Sequence, residues 1–159
     1  MNFVVLPDDA VEARAHGWRT LAALHALIED RLERALQREH QLSVSEYTVM
    51  EVLSRQDGFH LRMNQLSSAV VLSQSATTRL VTRLEDRSLL QRCLCPDDRR
   101  GIYTEVTEAG RALLDAAKPT HDAILSTALA EAEERPELAP LVSALKTLEK
   151  PAAAHAGVL

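Results

Sequence analysis

The segment from Ser73 to Arg83 carries hydroxyls at Ser73, Ser75, Thr77, Thr78 and Thr82 and guanidinium groups at Arg79 and Arg83. Groups of these types hydrogen-bond to phosphates and base edges. Arginine can pair bidentately with guanine, whereas serine and threonine read bases weakly. A second cluster lies in Cys95-Pro96-Asp97-Asp98-Arg99-Arg100-Gly101, whose Pro, Asp and Gly suit a hairpin loop. A hairpin tip that presents arginine fits a narrow minor groove, where the negative potential is strongest. The plain alternatives are a solvated helix face and exposed pairs of Arg99 and Arg100 with Asp97 and Asp98. Pairs of that kind contribute only about 0–1 kcal/mol.

Charge distribution agrees with the first reading. The chain has 159 residues and a net charge of −5, which as a bulk property argues against a polyanionic partner. Between His60 and Thr104, however, seven arginines face four carboxylates, a local excess of +3. A basic segment within an acidic chain is an electrostatic footprint, and arginine suits guanine edges and phosphates better than lysine does. Hydrophobic residues make up 46% of the chain and aromatic ones 3%, so the core is expected to be helical and aliphatic. This length favours one compact domain. The apolar run Phe3–Leu6 is too short for a signal-peptide core, and no stretch approaches the roughly 18 apolar residues of a membrane helix. A cytoplasmic, membrane-free protein is expected.

The elements that must position these residues follow from periodicity. Trp18, Leu21, Ala22, His25, Ile28, Leu32, Ala35 and Leu36 recur at spacings of three and four, which predicts a long helix over 11–40. Ser43 and Glu46 form a capping box that starts a helix running to about Gln56, and Asp57-Gly58 ends it. Two short helices follow, Met63 to Val70 and Gln74 to Arg87, the second capped by Ser73. In the second, Ala76, Leu80, Val81 and Leu84 form the apolar stripe opposite the row of donors. The period then changes, and Leu90–Leu94 and Ile102–Val106 read as two strands. Thr107 restarts a helix that continues past Pro119, and a last helix spans about Pro136 to Glu149. Residues 151–159 read as a frayed tail, and there are no repeats.

Two short helices with a tight link, followed by a hairpin with an arginine tip, make a winged helix-turn-helix. The expected fold is therefore mainly α with a small β-hairpin wing. One domain spans 1–159, with the winged lobe over 43–106 and long helices over 11–40 and 108–149 flanking it. Those helices carry more apolar surface than one small lobe covers, which suggests pairing with a second copy.

Three segments resemble the MarR family of bacterial regulators. Leu42-Ser43-Val44-Ser45-Glu46-Tyr47 resembles its second-helix entry, and Leu72 to Glu85 resembles its recognition helix. The most specific segment is Asp97-Asp98-Arg99-Arg100-Gly101 followed by Val106-Thr107-Glu108-Ala109-Gly110, which resembles the wing and the restart of the next helix. The resemblance covers about residues 15–130 and implies a homodimeric transcriptional regulator, usually a repressor, on a palindromic double-stranded operator. It implies DNA contact by Ser73, Ser75, Thr77, Thr78, Arg79, Thr82, Arg83, Asp98, Arg99 and Arg100, with Arg100 inserted into the groove and Asp98 orienting it. It also implies a small aromatic or phenolic effector held between the dimer helices and the winged lobe. On this chain that region includes Trp18, Leu21, Tyr47 and Met50, with Arg14, His16 or Arg19 to anchor an anionic or phenolic oxygen. The chain departs from the family at Ser88, where glycine is usual. Either Ser88 takes a left-handed conformation at about 1 kcal/mol, or the helix ends differently and the wing tilts.

Other chemistries have weaker support. Cys93 and Cys95 leave a thiol-based redox sensor open as an alternative, yet no His run accompanies them and a zinc site does not follow. His16, His25, His40, His60, His121 and His155 lack metal spacing. No nucleophile–base motif, paired catalytic carboxylates or glycine-rich phosphate loop appears, so neither catalysis nor a cofactor is expected. A helical interaction module that does not bind DNA would leave the arginine-tipped hairpin unexplained.

Overall fold

The computed structural model describes residues 8–95 and 98–149, with backbone alone at Asp8, Cys95 and 98–100. A long helix α1 (Asp8–His40) leads into α2 (Val44–Ser54), a single 3-10 turn (Asp57–Phe59), β1 (His60–Arg62), α3 (Met63–Ala69) and α4 (Gln74–Asp86). The hairpin β2 (Leu90–Cys95) and β3 (Asp98–Val106) comes next, then α5 (Glu108–Glu133) and α6 (Ala139–Lys146). This is the expected winged helix-turn-helix with helices at both ends.

Local chemistry sets most boundaries. The Ser43–Glu46 capping box is present: Ser43 Oγ accepts the Glu46 N–H at 3.0 Å, and Glu46 Oε2 accepts the Ser43 N–H at 2.9 Å. Ser73 Oγ accepts the Ala76 N–H at the start of α4. Helices α1, α3 and α4 each end with a left-handed residue beyond the last turn and a backbone bond closing over it, six-to-one in α3 and α4 and one residue wider in α1. Those bonds run from Leu42 to Leu36, Leu72 to Ser67 and Leu89 to Leu84. The left-handed residues are Gln41, Val71 and Ser88, with φ of 56°, 55° and 59°. Ser88 therefore adopts the conformation for which glycine is usual, and the wing does not have to tilt.

Two expectations are corrected. The sheet has three strands in the order β1-β3-β2, because the short β1 adds to the free edge of β3 with His60, Leu61 and Arg62 opposite Glu105, Thr104 and Tyr103. Three residues are too few to display a period of two, so only the pairing reveals the strand. The last helix is shorter than expected. It starts at Ala139 and buries Leu138 and Val142, while Leu145 and Leu148 stay exposed.

The main core joins the C-terminal half of α1 (Leu32, Leu36) to α2 (Tyr47, Val49, Met50, Leu53), α4 (Leu80, Val81, Leu84) and the base of the hairpin (Leu90, Val106). A smaller cluster of Leu24, Ala132, Leu138 and Val142 ties α1 to α5 and α6. An ion pair of Arg31 with Glu131 also links α1 to α5. Among the described residues, little covers the N-terminal half of α1. Trp18 is 73% exposed, Leu21 and Val11 are also open, and so is His25. The apolar stripe read along the whole helix therefore meets the chain's own core only over its second half.

The restart at Thr107 is a tight joint. Thr107 Oγ1 accepts the Gly110 N–H at 3.0 Å and donates toward the Ser88 and Leu89 carbonyls, at 2.8 and 3.1 Å. A Cβ on Gly110 would lie 2.3 Å from the Leu89 oxygen and 2.7 Å from Val106 Cγ2. Gly110→Ala should therefore destabilise the fold by about 3 kcal/mol, the upper end of ordinary overpacking, because backbone cannot yield. Conversely, Val71→Gly and Ser88→Gly should each stabilise by about 1 kcal/mol by relieving a left-handed Cβ clash, and Val71, 88% exposed, loses little burial. Thermal unfolding of the three variants checks both signs.

Candidate nucleic-acid interface

Helix α4 turns Leu80, Val81 and Leu84 into the core and leaves Ser75, Thr78, Arg79, Thr82 and Arg83 exposed, as the spacing predicted. Thr77 is a correction. It is fully buried, and its hydroxyl donates to the Ser73 carbonyl at 2.9 Å, so it belongs to the core side and cannot touch DNA. At 100° per residue Thr77 lies beside Leu80, Val81 and Leu84, and a threonine bonded to its own helix can be buried without loss.

The exposed threonine hydroxyls are not free donors. Thr78 gives its proton to the Gln74 carbonyl and Thr82 to that of Thr78, each at 2.9 Å. What they turn outward is a methyl group and oxygen lone pairs, which suit a thymine methyl or a base amino group. Ser73 Oγ already accepts from Ala76 and keeps its proton for an acceptor, with Ser75 Oγ 3.3 Å away.

The arginines divide by their partners. Arg79 is exposed and has no ion pair among the described residues. Arg83 and Arg87 both reach the carboxylate of Glu46 on α2, at 3.8 and 3.4 Å. Arg92 on β2 donates to Glu85 at 2.9 Å, which ties the hairpin to the recognition helix. These partners stand far apart in sequence, Glu46 from Arg83 and Arg87 above all, so periodicity carried no signal for them.

The hairpin pairs Leu90, Gln91, Arg92, Cys93 and Leu94 with Val106, Glu105, Thr104, Tyr103 and Ile102, and a register shift precedes Cys95 opposite Asp98. The backbone of Asp98, Arg99 and Arg100 forms the outer end of β3, so the loop is shorter than expected. Their side chains, and hence the groove-insertion role, lie outside the described residues. Nearer the base, Arg62 Nε donates to the Tyr103 hydroxyl at 3.1 Å, with the guanidinium over that ring. Cys93 is half-buried, and Cys95 lies outside the described side chains.

The expected effector residues are not brought together within one chain. Arg14, His16, Trp18, Arg19 and Leu21 lie on the N-terminal half of α1, whereas Tyr47 and Met50 are buried in the core. Helical spacing put Trp18 on the inward face, but the α5–α6 turn meets α1 beside His16 and Arg19, and among the described residues nothing covers Trp18. His16 and Arg19 line an open groove of about 450 Å³ between α1 and the α5–α6 turn, together with Leu27, Arg135 and Leu138. Tyr47 stacks on His121 of α5 with centroids 4.4 Å apart, and its hydroxyl has no partner among the described residues. Burial, with the nearby charges of Glu51 and Asp122, pushes its phenol up to about 12. The His121 ring hydrogen bond, with Lys118, holds the Asp122 carboxyl below the usual range. No cluster of metal ligands occurs among the described residues, and none of their helices is long and apolar enough to cross a membrane.

Comparison with known proteins is consistent with this geometry. Residues 40–101 match a model of the MarR family. AbsC, a MarR family transcriptional regulator from Streptomyces coelicolor, is 31% identical, with a TM-score of 0.69 over 89% of this chain and 93% of that one. Sco3205 from the same organism, a MarR family transcriptional regulator solved in complex with DNA, is 26% identical with a TM-score of 0.71 over 91% and 89%. CouR from Rhodococcus jostii, solved with p-coumaroyl-CoA bound, is 27% identical with a TM-score of 0.62 over 79% and 83%.

A raised phenol pKa makes the fold alkali-sensitive. The unfolded phenol ionises near 10 and the folded one at about 12, so the unfolded chain loses its proton first and stability falls as pH rises across that window. Tyr47→Phe should remove this part of the alkaline loss. It should cost little at neutral pH, because the hydroxyl it deletes has no partner. Denaturant unfolding of both proteins at neutral and alkaline pH measures the difference.

Proposed function

This chain belongs to the MarR family of transcriptional regulators and binds DNA, and from that premise we propose that it acts as a homodimer on an inverted-repeat operator, as a repressor released by a small aromatic or phenolic molecule. The observation that carries the DNA part is the exposed face of α4 beside a hairpin tied to it by the Arg92–Glu85 pair. A helix with its wing held at fixed distance can enter the major groove while the hairpin follows the adjacent minor groove. On this reading Ser73, Ser75, Thr78, Arg79, Thr82 and Arg83 meet the major groove and its phosphates, with Arg79 and Arg83 as the arginines that reach base edges. The tip at Asp98, Arg99 and Arg100 meets the minor groove. Such a protein works beside the chromosome, in the cytoplasm. Family membership disfavours the interaction module that does not bind DNA.

The dimer is supported by the uncovered apolar side chains Val11, Trp18, Leu21, Leu145 and Leu148, which all lie on or beside the two terminal helices. A second copy would bury them and place two recognition helices about 34 Å apart, one turn of DNA. A second copy would also bring new side chains to the groove between His16, Arg19 and Arg135, where Arg19 offers a carboxylate or phenolate effector a cation, Arg135 being paired with Glu137. The bound p-coumaroyl-CoA of CouR supports a ligand of aromatic character.

Light scattering should give twice the chain mass at micromolar concentration, and Trp18→Glu should shift it toward monomer; a well-folded wild-type monomer refutes the dimer. On a duplex selected from random sequence, Arg79→Ala should lose about 1–3 kcal/mol, with a smaller loss on scrambled DNA. Thr77→Val should bind as the wild type does, because that side chain never leaves the core. Salicylate-like acids should weaken operator binding and alter the emission of Trp18, the only tryptophan. If neither signal responds, the effector is of another class.

A further inference from the structure

Glu46 is a carboxylate with two assignments. It closes the capping box of α2, and it lies only 10% exposed within 4 Å of Arg83 of the recognition helix and of Arg87 at its C-cap. The anchor is itself fixed: Ser43 N–H donates to Glu46 Oε2 at 2.9 Å, and the neighbouring Val44 N–H donates to Glu33 Oε2 of α1 at 2.8 Å. A nearly buried carboxylate costs desolvation, and a capping box alone does not require one, because glutamine closes it equally well. The negative charge is therefore surplus to the helix start.

We propose that Glu46 is a positioning residue for DNA discrimination: it holds Arg83 in one orientation and withdraws part of the charge of Arg83 and Arg87 from sequence-independent phosphate binding. This rests on the reading that α4 faces DNA. Freed arginines bind any phosphate, and that binding is the sequence-blind part of affinity, released by salt. At 3.8 Å Glu46 holds the Arg83 guanidinium by ion pairing and without a hydrogen bond, so its N–H donors are left for DNA. Arg83 is 60% exposed, so those donors are open. The tether thus lowers affinity for all DNA while leaving Arg83 preset for the one base pair it can reach, which raises the ratio of specific to non-specific binding.

The test compares wild type, Glu46→Gln, Arg83→Gln, the double variant and Arg79→Ala. Each binds two duplexes of equal length across a salt series: one selected from random sequence by the wild type, and its scrambled counterpart. Glu46→Gln keeps the capping box and should keep the thermal midpoint. It should bind scrambled DNA severalfold more tightly, with a salt slope steeper by about one, and lose about tenfold in discrimination. The double variant should discriminate no worse than Arg83→Gln alone, because the effect passes through that arginine. If Glu46→Gln leaves discrimination and salt slope unchanged, or weakens both duplexes equally with a lower thermal midpoint, Glu46 is a helix cap and the inference is overturned. Additive losses in the double variant overturn the route through Arg83. Should Arg79→Ala also bind both duplexes as the wild type does, the placement of α4 on DNA fails, and this inference with it. A loss in Arg79→Ala beside an unchanged Glu46→Gln rejects the Glu46 inference alone.

Discussion

Where α4, the hairpin and α5 meet, backbone comes so close to backbone that only hydrogen fits at Gly110, 2.3 Å from the Leu89 oxygen for any added Cβ. The geometry of the DNA-binding lobe depends on this joint. Ser88 turns the chain out of α4 in a left-handed conformation, Leu89 leads into β2, and Thr107 returns from β3 to lock onto both carbonyls. The recognition helix, the wing and the long helix α5 thus share one anchor. The joint ties α5 to the recognition helix through hydrogen-bonded backbone, beside the core that Leu114 and Ala117 share with α4.

Charge is distributed to the same end. The chain is acidic as a whole, yet the exposed face of α4 presents Arg79 and Arg83. Carboxylates stand behind that face at chosen points: Glu46 against Arg83 and Arg87, and Glu85 against Arg92. One pair steadies the helix against α2 and the other holds the wing to the helix. Arg79, with no ion pair among the described residues, is the cation left fully available. A surface that only attracted polyanion would have no use for these restraints.

Helix α1 is built in two parts. Its second half supplies Leu32, Ala35 and Leu36 to the core, and its first half presents Trp18, Leu21 and Val11 to solvent. With the open leucines at the end of α6, these residues form an apolar surface that a monomer would carry at a cost, and a second copy would bury it. The same surface adjoins the groove of His16 and Arg19. In the proposed dimer, assembly and effector recognition would share residues.

Local signals in the sequence determined the helix caps at Ser43, Ser73 and Thr107, the stripe of Leu80, Val81 and Leu84, the change of period at Leu90, and the exposed arginines of α4. Each depends on residues within a turn or two of one another, where spacing maps directly onto geometry. Tertiary structure alone decided the rest. It made a strand of His60–Arg62, because three residues become β only when an edge of β3 is there to pair with them. It buried Thr77, which on spacing alone passed for another hydroxyl of the wet face. It set Glu46 against arginines some forty positions away, and left Trp18 outside a core its periodicity seemed to promise. Contacts between residues distant in the chain are fixed by how the elements stack, and stacking is a property of the whole chain that no window of sequence contains.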